Sequence, residues 1–183
     1  NMNREQIQKA VDAACVLGMT HTEMQFPCFE KIGNEPNDSV FSNRREIPEN
    51  YQSSTLSAKE TDDLFYKNMH LESLFRVGSF LKDCNHDVLP DTCNFSFVLP
   101  EKPSASVIRA LMDVCVRFAM DSTSINTENL LLETDEIKNR IIFTGNGNPG
   151  MHLCTEDGRE ILKICGEGEE LEQFISLFCQ TFD

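Results

Sequence analysis

The stretch Thr144 to Cys154, TGNGNPGMHLC, carries two residue patterns that chemistry uses. Gly145-x-Gly147-x-x-Gly150 has the spacing of a loop that cradles phosphate with backbone N–H groups, and it leads directly into His152 and Cys154. A thiol and an imidazole two residues apart on a strand point to the same side. A lysine across a strand pair, Lys163, would favour the thiolate there and make the cysteine a nucleophile. Cys154, His152 and Lys163 are therefore the candidate catalytic residues, and Gly145, Gly147 and Gly150 the candidate ligand-binding ones. A second group, Cys84, His86 and Cys93, has thiol and imidazole ligands of the kind zinc takes, with His70, Asp83 and Asp87 in the neighbourhood.

Context weighs against each pattern. In a dinucleotide fold the third glycine opens a helix, and an acidic residue ends a second parallel strand about 20 residues on. Here a strand follows Gly150, and Pro149 removes a backbone donor. Lys163 in ILKI imitates the lysine of a protein-kinase glycine loop, but the chain contains neither H-R-D nor D-F-G. Asn-Gly and Asn-Pro-Gly are residues that a tight reversal requires, so the loop reads first as a strand connection. The Cys/His pair lacks an identifiable oxyanion loop or third orienting residue. The zinc reading lacks paired ligands at C-x-x-C or H-x3–5-H spacing. No cofactor follows from any of the three.

The elements that must position these residues are legible in parts. Residues 3–17 place Ile7, Ala10, Val11, Ala14 and Cys15 on one helical stripe, with Asn3 and Gln6 as a capping box and Gly18 as the expected stop. A polar stretch with Pro27, Pro36 and Pro48 follows, too long for an ordinary connection. It reads as an arm whose isolated Phe26, Phe29, Phe41 and Tyr51 dock into grooves or stay in solvent. Ser57 to Glu60 is a capping box for a helix expected over 58–82. The segment 93–99 alternates Phe95, Phe97 and Leu99 as a strand, and 104–121 is a helix apolar on more than one side, hence central.

In the last third, LLLET (130–134) and RIIFT (140–144) read as two strands of a hairpin, with a helix through 127–139 as the competing assignment. Two further strands, MHLCTE and REILKICG, turn at Asp157-Gly158. That turn sets position 152 opposite 163 and 154 opposite 161, with Met151, Leu153, Leu162 and Ile164 facing the core. A helix over 168–182 keeps Leu171, Phe174, Ile175 and Phe178 inward, its first-turn glutamates favoured by the helix dipole.

The expected architecture is α+β: an antiparallel sheet of four or five strands packed with three to four helices. Residues 1–56 are expected to form an N-terminal helix plus a long polar arm, and 57–183 the core domain. The chain has 183 residues and 13 phenylalanines, enough for a sizeable core. Its formal net charge of -14 repels phosphate backbones and anionic membrane surfaces, so nucleic acid and membrane are not expected partners. Eight cysteines without a secretory leader read as reduced thiols in the cytoplasm. Acidity, two-faced apolar strands and the lack of an assembled catalytic set point to a non-enzymatic protein-interaction module: an adaptor, regulator or acidic chaperone-like protein that self-associates as a homodimer. The alternative is an enzyme or small-ligand domain using the Cys/His/Lys cluster beneath the loop 144–150.

Overall fold

The computed structural model describes residues 2–21, 26–29, 74–75, 77–123, 125, 127, 130–131 and 139–181. Most of the polar arm, residues 57–73 of the expected second helix, and 132–138 lie outside the described residues. Among those described, three helices pack on a four-stranded sheet with a two-stranded ribbon at its side, an α+β architecture.

Helix α1, Arg4–Thr20, starts as its sequence requires. Asn3 Oδ1 accepts the Gln6 N–H at 2.9 Å and Gln6 Oε1 accepts the Asn3 N–H at 2.8 Å, satisfying two of the orphan donors of a helix start. Its end differs from expectation. The helix runs through Gly18 to Thr20, and Gly18 acts as a packing residue. A β-carbon there would lie 2.4 Å from the Val116 carbonyl oxygen and 2.6 Å from Ala119 Cβ, so only glycine lets α1 approach the next helix this closely.

That next helix, α2, spans Ala105–Met120 and is the centre of the molecule. Ser104 caps it, its hydroxyl accepting the Val107 N–H at 3.3 Å. Residues 106–119 are buried with the single exception of Arg109, as expected of a helix apolar on several sides. Helix α3, Gly168–Thr181, packs on the other flank of α2 with Leu171, Ile175, Phe178 and Cys179 fully covered.

Strand β1 (Leu81–Lys82) pairs with β2 (Thr92–Cys93) as the ribbon. Lys82 is therefore in a strand, and Val77 makes a bridge to Leu81, so the helix expected over 58–82 does not extend to 77–82. Then follow β3 (Phe95–Val98), β4 (Asn139–Phe143), β5 (Gly150–Glu156) and β6 (Arg159–Cys165). Their order across the sheet is β3-β4-β6-β5.

The antiparallel sheet expected from sequence is corrected on this point. β4 lies between β3 and β6 and is parallel to both, and only β5 runs antiparallel. With both edges of β4 occupied, 140–144 cannot also pair with 130–134, and Leu130 and Leu131 form a turn. The Leu130 carbonyl instead accepts the Phe97 N–H at 2.6 Å, closing the outer edge of β3. β3, α2 and β4 thus form a parallel β–α–β unit, and its helix covers one face of the sheet.

That face supplies the core. Phe95, Phe97, Ile141, Phe143, Leu162 and Ile164 meet Phe80, Phe118 and Phe178 from the other layers, all at most 3% exposed. Ring pairs such as Phe95 with Phe118, 4.6 Å between centroids, and Phe75 with Phe118, 5.0 Å, tie β3 and the segment before the ribbon to α2. Each fully buried aromatic or branched side chain stabilises the fold by about 1.5–3 kcal/mol, so the phenylalanines dominate the packing energy.

Candidate functional site

The hairpin β5–β6 brings the candidate catalytic residues to one face. Asp157 (φ 50°) and Gly158 (φ 74°) form the turn, and both need the left-handed region that an Asp-Gly pair supplies at least strain. The turn fixes the register His152 opposite Lys163 and Cys154 opposite Ile161, as the sequence indicated. Leu153, Leu162, Met151 and Ile164 consequently face the helices. His152, Cys154 and Lys163 share the opposite face, and His152 is exposed.

On that face a fourth residue decides what Lys163 does. Glu156 Oε1 lies 2.7 Å from Lys163 Nζ and also accepts from Cys154 Sγ at 3.6 Å. The carboxylate takes the ammonium for itself: hydrogen bonding to Lys163 and its charge hold Glu156 below the usual carboxylate range, and Glu156 raises Lys163 in turn. The ammonium beside the thiol is thus already paired with a carboxylate. The thiol's other contact is the Ile161 carbonyl at 3.7 Å. The three candidate residues are neighbours, but a bound, charge-paired lysine is a poor activator of a nucleophile.

The glycine loop sits at the carboxyl ends of the parallel strands, at one end of β5. Gly145 (φ 63°) and Gly147 (φ 84°) take conformations that favour glycine, and Gly150 begins β5. Its backbone is engaged within the fold: Thr144 N–H donates to the Ile164 carbonyl at 3.0 Å and Gly166 N–H to the Asn146 carbonyl at 3.0 Å. A β-carbon on Gly145 would meet Pro100 at 3.1 Å and Glu167 Oε1 at 3.4 Å. An incoming phosphate at Gly145 would meet the Glu167 carboxylate and be repelled. The loop is followed by strand β5, so it joins two strands and does not open a helix.

The candidate metal ligands do not gather. Cys84 and His86 are exposed in the loop between β1 and β2, whereas Cys93 lies in β2, where burial and the nearby Cys15 push its thiol up. Among the described residues no three His, Cys, Asp or Glu side chains are arranged to hold a metal ion. The carboxylates of the loop organise its backbone. Asp83 accepts the N–H groups of His86, Asp87 and Val88, and Asp91 those of Cys84 and Asn85. Desolvation opposes the Asp83 charge, but its three backbone donors prevail and hold the carboxyl below its usual value.

Sequence reasoning missed two residues on the open face. Arg140 and Arg159, with Glu156, Asp157 and Ile161, line a hollow of about 320 Å³ beside the hairpin turn. Arg159 could have been placed there, because the Asp157-Gly158 register sets it opposite Glu156. Arg140 could not, since its position beside Ile161 depends on the parallel pairing of β4 with β6.

Compared with protein-family models, curated proteins and solved structures, the chain matches none. No helix among the described residues is long and apolar enough to cross a membrane.

Proposed function

We propose that the chain is a protein-interaction module that associates with a second copy of itself through the outer edge of β5. The observation that carries this reading is the asymmetry of the sheet's two edges. The outer edge of β3 receives the Leu130 carbonyl, but β5, seven residues long, has a paired neighbour on one side only among the described residues. A strand of that length presents a row of backbone donors and acceptors suited to another strand. In a two-fold dimer the edge is its own complement, since antiparallel β5 strands pair with themselves. The charge-paired state of Lys163 is a further reason to prefer association over nucleophilic chemistry at the same hairpin.

The test uses proline, which removes one N–H. His152 and Thr155 are exposed and of opposite parity along the strand, so one directs its N–H to the free edge and the other into β6. Light scattering on the eluting protein should give a dimer for the wild type. The proline variant with the outward N–H should be a folded monomer, and the other should lose the hairpin. A wild-type monomer at high micromolar concentration, or a dimer that survives in the folded variant lacking the outward N–H, would remove the proposal.

A further inference from the structure

Away from the hairpin, residues 26–29 (Phe-Pro-Cys-Phe) lie across the helix layer. Phe26 and Phe29 are only 5% and 4% exposed. The Gln180 side-chain amide on α3 donates to the Phe26 carbonyl, and the Cys28 N–H donates to Asp113 Oδ1 on α2 at 2.8 Å. Two aromatic anchors and two backbone hydrogen bonds thus hold the segment on the helices. The unusual partner is Asp113, a carboxyl just 1% exposed in the middle of an apolar helix.

We propose that Phe26–Phe29 is a proton-linked latch: seating it over α2 and α3 seals the Asp113 carboxyl from water, so the latch is tight with that carboxyl protonated and loosens when it ionises. The linkage goes beyond the association through β5 and does not depend on it.

The surroundings of Asp113 decide the direction. Burial disfavours its charged form and is the largest effect; the Cys28 N–H and thiol favour it, the nearby Glu172 disfavours it and Arg109 favours it. Arg109 on α2 and Glu172 on α3 are joined to each other by two hydrogen bonds, so neither is a counter-ion for Asp113 alone. Among the described residues, the other ionisable neighbours are Cys28 on the segment, Cys115 and Arg117 on α2, and Cys179 on α3. Burial holds the three thiols far above neutrality, and Arg117 is bound to Asp121 at 2.5 Å. Burial prevails, and the Asp113 carboxyl is pushed up to about 7. With the segment lifted, water reaches the carboxylate and the burial penalty falls. The seated state therefore binds a proton that the lifted state releases, and rising pH favours lifting.

Amide exchange of Cys28 in the full chain, expressed as a protection factor to remove the intrinsic pH dependence, reads the latch directly. Protection should fall by up to about tenfold per pH unit between pH 5.5 and 7 and level off above it, the signature of one linked proton. In Asp113→Asn, whose amide oxygen still accepts the Cys28 N–H, protection should be flat with pH. Linkage is reciprocal, so Phe29→Ala, which loosens the latch without touching the carboxyl, should lower the pH at which the Asp113 carboxyl titrates by NMR. A wild-type protection factor independent of pH, the same slope in Asp113→Asn, or an unchanged Asp113 titration in Phe29→Ala would each overturn the proposal.

Discussion

At the scale of residues, Gly18 shows how one position carries two opposed readings. A glycine after an amphipathic stretch is a normal helix stop, and an alanine in its place within a helix should stabilise by up to about 1 kcal/mol. The structure reverses the sign. The added methyl would enter the Val116 carbonyl oxygen and Ala119, backbone and β-carbon that no rotamer change can move. Gly18→Ala should therefore destabilise the protein by about 1–3 kcal/mol, the usual cost of overpacking, read as a lower urea midpoint. A higher midpoint would mean that α1 can stand off α2 at no loss.

At the scale of elements, legibility in the sequence follows the range of the interaction. The Asn3/Gln6 box, the capping Ser104 and the Asp157-Gly158 turn are local, and each appears where its residues indicate. The hairpin register carried the relative placement of His152, Cys154 and Lys163 with it. The neighbours of β4 were not legible. Arg140-Ile141-Ile142-Phe143 announces a strand covered on both faces, but periodicity says nothing about the direction of its partners, and a parallel pair needs the distant β3 and β6. Glu156 was hidden for a related reason, since its hold on Lys163 is a matter of side-chain reach across the hairpin.

The joints between elements are carried by polar side chains that no periodicity marks. Asn139, only 6% exposed, opens β4 and ties three elements: its Nδ2 donates to the Ser79 carbonyl beside the ribbon at 2.8 Å and its Oδ1 accepts the Glu160 N–H of β6 at 2.9 Å. Asn94, itself buried, bonds the same Ser79 carbonyl at 3.2 Å and so shares the joint. Asn139→Ala leaves the Glu160 donor unmet and should cost about 1–3 kcal/mol. Because Asn94 still holds the ribbon, the Glu160 amide should exchange faster while the ribbon amides keep most of their protection. Equal loss in both would show that the two elements open as one unit.

At the scale of the whole molecule, acidity and a buried acid act on stability in different pH ranges. Asp83 and Glu156 have lowered carboxyl values, so their contribution is present above the unfolded range and lost only as pH falls through acid. Asp113 works the other way. Its folded value of about 7 stands above the ordinary aspartate value of 3.8, so between these limits the native protein keeps a proton that the unfolded chain has released. Stability then falls as pH rises, by up to about 1.4 kcal/mol per unit, and is level above about pH 7. Any other group that titrates between pH 6 and pH 8 does so equally in wild type and variant. The urea midpoint of the wild type should accordingly be higher at pH 6 than at pH 8, and Asp113→Asn should remove most of that difference. A difference of the same size in the variant would assign the effect to other groups and return Asp113 to an ordinary buried acid.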